Sequence, residues 1–109
     1  MSTLNLHELA EERSIALHAA VAERLRAEPS LLDAVRARVA TWLRDGSVHA
    51  EYARAWAAIL ARPLADILPV LTDPGEHARA LRQVTPFTGI LAQEERLRIR
   101  AEVRLRLGA

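Results

Sequence analysis

The sequence predicts an all-α fold, a compact single-domain bundle of five or six helices, and three observations support this prediction. Alanine, leucine and arginine are abundant, and all three are strong helix formers. Apolar residues recur at intervals of three and four along most of the chain, as on one face of a helix. Only 4% of the residues are aromatic, so the core must be mainly aliphatic. We assign one domain to residues 1–109, with a flexible N-terminus at residues 1–5.

The first helix is predicted at residues 6–27. Its apolar stripe consists of residues four apart: Leu17, Val21 and Leu25. Pro29 disfavours helical geometry at the residue before it, so the helix should end there. Ser30 and Asp33 have the spacing of a capping box, which predicts that Ser30 caps the second helix.

The second and third helices flank a glycine turn. The apolar face of the second helix consists of Leu32, Val35, Val39 and Trp42. This helix should end at Asp45-Gly46, where glycine can adopt the left-handed conformation. Ser47 is the predicted cap of the third helix, whose apolar face consists of Tyr52, Trp56, Ile59 and Leu60. We expect Trp42 and Trp56 to lie in the core.

Two shorter helices follow. The sequence PLADILPVL predicts a fourth helix that Pro69 interrupts or ends. In TDPGE, Asp73 is the predicted cap, Pro74 lies in the first turn, and Glu76 reaches back from the third helical position. The fifth helix is therefore predicted at residues 74–83.

The last segment, residues 93–107, contains conflicting signals. The sequences RLRIR and VRLRL alternate apolar and basic residues with a period of two, which is typical of a strand. The segment is nevertheless rich in helix formers, with glutamates in its first turn and arginines in its last, which suits a helix dipole. A lone strand would also lack a pairing partner, so we predict a helix.

Composition excludes several functional classes. All fifteen basic residues are arginine, but fourteen acids leave a net charge of +1, so the chain lacks the strong uniform field expected of a dedicated nucleic-acid binder. The chain has no cysteine and therefore no disulfide or thiol nucleophile. No apolar run is long enough to span a membrane, and the N-terminal residues do not resemble a signal peptide. We expect a soluble cytoplasmic protein with no membrane partner.

Catalytic motifs are missing from the sequence. The four histidines are His7, His18, His49 and His77. No two of them have the spacing of a metal site on one helix. No serine lies in a nucleophile elbow, and no glycine-rich loop could hold a phosphate. We therefore expect neither enzyme activity nor a metal or other cofactor. The remaining enzymatic hypothesis is a site assembled around His18, which lies between apolar positions.

The segment LRQVTPFTGIL, residues 81–91, lacks a helical pattern and contains the single phenylalanine, Phe87. One interpretation is a connector, in which Pro86 and Gly89 turn the chain and Phe87 folds back onto the core, the more common fate of an apolar residue. The other is a recognition loop, in which Arg82 and Gln83 flank an aromatic anchor stiffened by proline.

The arginines of the last helix suggest a second function. Arg96, Arg100 and Arg104 are four residues apart and would form a basic stripe. Such a stripe beside glutamates is more often a solvated helix face than a nucleic-acid contact. A DNA-binding regulator is therefore the weaker alternative, and nucleic acid is a possible but poorly supported partner.

Two sequences, RSIALH at residues 13–18 and LRQVTPFTGIL, together resemble a group of small bacterial proteins abundant in actinobacteria. That group combines an R-S-x-x-L-H helix with a later L-R-Q-x-x-P-F-x-G-x-L segment. The resemblance covers about residues 13–103, and the second motif is the more specific. The shared positions are Ser14, Leu17, His18, Arg82, Gln83, Pro86, Phe87 and Gly89.

The resemblance implies a small helical antitoxin-like protein that binds a partner. Some members of the group carry a helix-turn-helix or are encoded beside candidate toxins. This chain contains no such helix-turn-helix, which weakens a direct repressor role. Ala92 also occupies the position where the group would lead us to expect a serine or threonine cap.

The leading hypothesis is a non-catalytic module, an antitoxin that binds and neutralises a partner toxin enzyme. The predicted partner-binding residues are Arg82, Gln83, Phe87, Pro86, Gly89, Ser14 and His18. Within this set, Phe87 is expected in the core, with Arg82 and Gln83 facing outward. A phage-type inhibitor of a host defence protein remains an alternative, and the sequence leaves a homodimer open.

Overall fold

The computed structural model describes residues 5–108, which contain six α-helices and no strand. In chain order these are α1 (Leu6–Ala27), α2 (Leu32–Asp45), α3 (Ala50–Leu60), α4 (Leu64–Thr72), α5 (Glu76–Arg82) and α6 (Gln93–Arg106). The all-α prediction is confirmed. None of these helices combines the length and apolarity that a bilayer crossing requires.

The helix α1 begins and ends close to the predicted positions. The Asn5 side chain caps it, because Oδ1 accepts a hydrogen bond from the His7 amide at 2.7 Å. At its other end Glu28, before Pro29, leaves helical geometry. The predicted flexible N-terminus lies outside the described residues except for Asn5.

The predicted Ser30 cap is wrong. Ser30 lies within a 3₁₀ turn, Pro29–Leu31, that leads directly into α2. The amide of Leu32 donates to the carbonyls of Pro29 and Ser30, so the continuous backbone satisfies the start of α2. A side-chain cap is therefore not needed there.

The turn between α2 and α3 matches the prediction at one residue and contradicts it at another. Gly46 ends α2 with a φ of 69°, as expected for glycine in a left-handed cap. Ser47 does not cap α3; its amide donates to Asp45 Oδ1 at 2.9 Å within the turn that precedes the helix. The cap is His49, whose Nδ1 accepts from the Glu51 amide at 3.2 Å.

The helix α4 continues through Pro69 to Thr72, contrary to the prediction. Pro69 lacks an amide proton, so it removes one hydrogen bond, the bond to the carbonyl four residues earlier. Burial of the apolar face offsets that loss: Ile67, Leu68 and Leu71 are buried on both sides of the proline.

The helix α5 is shorter than predicted, Glu76–Arg82 instead of residues 74–83. Asp73 does not cap a helix starting at Pro74. Its Oδ1 accepts instead from the Gly75 amide at 2.8 Å, in a local turn that delays the helix by two residues.

The core is centred on Trp56, which is fully buried, as predicted. Its indole Nε1 donates to the carbonyl of Leu81 at 3.2 Å and so links α3 to the end of α5. Trp42 is only partly buried and packs at the edge of this core. Trp42 thus contacts the core, as predicted, but it is less buried than a core residue.

The helix α6 is confirmed over nearly the predicted range and packs against α1 in an antiparallel direction. Arg24, late in α1, pairs with Glu95 early in α6 at 2.8 Å. Glu12, early in α1, pairs with Arg106 late in α6 at 3.5 Å. Between these ends α6 places Val103 against α1 while Leu97 and Leu105 remain exposed.

A candidate binding groove between α1 and α6

A groove of about 410 Å³ lies between α1, α6 and the loop that joins α5 to α6. We call it the α1–α6 groove. Its lining includes five of the predicted partner-binding residues: Ser14, His18, Arg82, Phe87 and Gly89. Neither Gln83, which is exposed, nor Pro86, which is buried within the loop, lines the groove. The two sequence segments that carry the resemblance thus meet in one place.

His18 joins α1 to the loop through both ring nitrogens. Nδ1 lies 2.7 Å from the carbonyl of Ser14, which can only accept, so Nδ1 carries the proton. Nε2 therefore accepts from the hydroxyl of Thr85 at 2.9 Å. The same hydroxyl oxygen accepts from the amide of Phe87 at 3.2 Å. This chain of hydrogen bonds fixes the loop on α1.

Burial lowers the pKa of His18, and the nearby Arg82 charge acts in the same direction. The hydrogen bond to Ser14 and the charge of Glu11 oppose the shift without reversing it. The lowered pKa keeps the ring neutral at pH 7. Because both nitrogens are occupied, His18 offers no free base to a substrate and acts as a structural link.

Phe87 is buried, and the prediction that it folds back onto the core is confirmed. Its ring makes an edge-to-face contact with Trp56, with centroids 5.6 Å apart. A second contact of the same type joins it to His18 at 6.2 Å. Such aromatic pairs favour this geometry, so Phe87 anchors the loop to both α1 and α3.

The prediction that Arg82 faces outward is wrong. Only 3% of Arg82 is exposed, and its guanidinium binds the end of α4, donating to the carbonyl of Asp73 at 2.7 Å and to that of Leu71 at 3.4 Å. The last carbonyls of a helix lack partners within the helix, which gives a buried arginine its acceptors. Arg82 also pairs with Glu11 of α1, which Arg79 contacts at 3.3 Å.

The loop is held from the other side by Arg38 of α2, a residue that sequence reasoning missed. Its Nη1 donates to the carbonyls of Pro86 and Thr88, at 2.8 and 2.6 Å. No sequence pattern marks a contact across such a chain separation. Gly89 has a φ of 94°, a conformation that favours glycine, although a β-carbon there would meet no atom within 4 Å.

Three arginines line the groove without a partner for their side chains among residues 5–108: Arg13, Arg96 and Arg100. Arg13 lies on α1 and the other two lie one turn apart on α6. Among the described residues, no aspartate or glutamate lines the groove. Several other arginines pair with carboxylates or carbonyls, among them Arg24, Arg38, Arg79 and Arg82. The groove therefore concentrates uncompensated positive charge.

The floor between these arginines is apolar and includes Leu17, Val21, Phe87 and Leu91. Within residues 5–108 no three histidine, aspartate or glutamate side chains are grouped as a metal ion would require. The groove is thus suited to binding an acidic group attached to an apolar one. The chain matches no protein-family model, and no curated protein or solved structure is detectably similar to it.

Proposed function

We propose that this protein is a non-catalytic protein-binding module, an antitoxin that binds and neutralises a partner toxin enzyme. The α1–α6 groove is the observation that carries the proposal, because the two motif segments of the resemblance meet there. The groove combines a buried aromatic floor with unpaired arginines on its rim. Arginine and aromatic residues are the commonest sources of binding energy in protein interfaces.

The groove is held in shape before any partner arrives. His18 and Thr85 fix the loop on α1, and Arg38 holds the loop carbonyls from α2. A surface that is already ordered loses less conformational entropy on binding, so more of the contact energy appears as affinity. In this proposal the predicted residues Ser14, His18, Arg82 and Phe87 support the groove, and Arg13, Arg96 and Arg100 contact the partner.

The DNA-binding alternative and the antitoxin proposal differ in their salt dependence. Contacts with several phosphates would make affinity fall steeply as salt concentration rises. A protein interface with an apolar floor responds more weakly, because burial of apolar surface does not depend on counterion release. A phage-type inhibitor would use the same surface on a different target, which identification of the partner would reveal.

The proposal is tested by co-expressing the chain with the product of its neighbouring reading frame. We expect a stable complex and relief of the growth inhibition that this product causes alone. The double variant Arg96→Glu/Arg100→Glu should lose both effects. The control Arg54→Glu/Arg62→Glu changes net charge equally at exposed residues outside the groove and should retain them.

Two results would overturn the proposal. One is that the neighbouring product and the native host both provide no protein that binds stably. The other is that the groove variant and its charge-matched control behave alike, since net charge would then explain the effect and the groove would have no special role.

A further inference from the structure

We infer that the α1–α6 groove recognises an acidic segment of the partner, in which carboxylates flank an aliphatic or aromatic side chain. This inference rests on the proposed function and specifies the chemistry of the partner. The apolar side chain would enter the floor formed by Leu17, Val21, Phe87 and Leu91, and the carboxylates would bind the arginines of the rim.

The distribution of charge favours a carboxylate ligand. Arg13, Arg96 and Arg100 have no side-chain partner among the described residues, and the lining carries no acid to neutralise them. Guanidinium groups bind carboxylates through two parallel hydrogen bonds, which are stronger and more directional than bonds between neutral groups. An acidic segment would therefore complement three charges that the protein itself leaves uncompensated.

Arg13 provides an independent observation. Its Nε is buried, with no hydrogen-bond acceptor in residues 5–108. A buried donor without an acceptor is destabilising, so such groups are uncommon in folded proteins. A carboxylate that binds a guanidinium side-on uses Nε together with one terminal nitrogen, and a small rotation of Arg13 would give its Nε that acceptor.

The size of the groove matches a short segment with an apolar side chain. Its volume of about 410 Å³ lies within the range of roughly 300–1,000 Å³ that is typical of ligand sites. Mostly apolar walls with a few polar groups at the edge are also typical of such sites. A free carboxylate such as acetate would use the rim and leave the floor exposed to water.

The acids of α6 argue against a nucleic acid in the same groove. Glu94 and Glu102 are exposed on α6, the helix that carries Arg96 and Arg100. Glu95 lies beside Glu94 in the first turn of this helix. A polyphosphate backbone running along α6 would pass these carboxylates. A peptide can place its own carboxylates at the arginines alone, so the local charge pattern favours a peptide.

The test is an NMR titration of the ¹⁵N-labelled full chain with a blocked peptide in which two glutamates flank leucine and phenylalanine. We expect saturable shifts of the arginine Nε–H groups of the groove and of the loop amides. Two matched peptides separate the contributions: one replaces both glutamates by glutamine, and one replaces leucine and phenylalanine by alanine. Each matched peptide should bind at least about tenfold more weakly than the original acidic peptide.

Protein variants locate the site. Arg100→Gln and Arg96→Gln should each weaken binding of the acidic peptide by about three- to tenfold. Arg54→Gln, on the exposed side of α3, should leave it unchanged. Arg100 is exposed, so its replacement by glutamine should leave the fold intact.

The outcomes distinguish this inference from the proposed function. If the acidic peptide does not bind, or binds as well after glutamate is replaced by glutamine, the inference fails, and the co-expression experiment decides the antitoxin proposal separately. If a single-stranded oligonucleotide or inorganic phosphate shifts the same arginines at lower concentration than the peptide, the inference also fails. If the peptide binds as expected but no toxin is neutralised, the inference stands and the antitoxin proposal fails.

Discussion

The polar side chains on the two sides of the α1–α6 groove differ in whether they are bonded to the rest of the chain. On the loop side, His18, Arg82 and Arg38 are each bonded to other parts of the chain. On the rim, Arg13, Arg96 and Arg100 make no side-chain bond with the described residues. We infer that the motif residues on the loop side mainly build the groove, whereas the arginines of its rim are available to contact a ligand. Substitutions on the two sides should therefore have separable effects on stability and binding.

The largest expected effect is on the loop side, at Phe87. Phe87→Ala removes a ring that packs against both Trp56 and His18 and leaves a cavity in the core. The free energy of unfolding should fall by about 3–5 kcal/mol. Chemical denaturation monitored by circular dichroism measures this fall. A loss below about 1 kcal/mol would contradict the anchoring role of the ring.

Arg82→Ala should have the next largest effect, a loss of about 2–4 kcal/mol in the free energy of unfolding. The substitution leaves Glu11 largely buried and removes the donors to the Leu71 and Asp73 carbonyls. Arg79→Ala is the matched control, since Arg79 contacts the same carboxylate but is half exposed. It should cost less than about 1 kcal/mol, and equal losses in the two variants would contradict the structural role of Arg82.

Gly89→Ala tests the shape of the loop. The positive φ of Gly89 is strained for any residue with a β-carbon, and nothing in the surroundings would clash with that carbon. We expect a loss of about 1–2 kcal/mol in thermal or chemical unfolding, caused by the backbone alone. Gly89→Asn should lose less, because asparagine tolerates this conformation better.

The His18 link should make stability depend on pH. Because burial lowers the pKa of His18, the unfolded chain binds more protons than the folded chain when pH falls below about 6.5, the ordinary pKa of histidine. The free energy of unfolding should therefore decrease from pH 7.5 to pH 5. Arg82 promotes this loss and Glu11 opposes it.

A pair of histidine variants tests whether His18 causes the slope of the free energy of unfolding against pH. His18→Gln should remove much of it, whereas His77→Gln, at an exposed position, should retain it. Asp45 also has a lowered pKa, caused by hydrogen bonds from Ser47, but its contribution is lost only in more acidic solution. An identical slope in the wild type and the His18 variant would contradict the link.

Much of the fold is predictable from sequence because it depends on local signals. Apolar periodicity located α1 and α2, Gly46 marked the end of α2, and the charge distribution in residues 93–107 favoured the helix α6. The errors were mainly at caps. Ser30 and Ser47 have the right side chains, but the backbone of the 3₁₀ turn satisfies the start of α2, and the ring of His49 caps α3.

The site was predictable only in part. The motif residues Ser14, His18 and Phe87 line the same groove. The role of Arg82 could not be predicted, because its burial depends on the end of α4, and the contact of Arg38 with the loop joins distant segments of the chain. Arg13 belongs to the first motif, yet only the three-dimensional structure places it opposite Arg96 and Arg100.

The smallest expected effect on stability is at the rim, and it completes the comparison. Arg100→Gln removes an exposed charge with no partner among the described side chains, so the free energy of unfolding should change by less than about 0.5 kcal/mol. The same variant should still bind the acidic peptide or the partner several times more weakly. Denaturation and binding measured on one preparation provide the test. A variant that loses stability and binding together would show that the rim, like the loop side, is part of the structural frame.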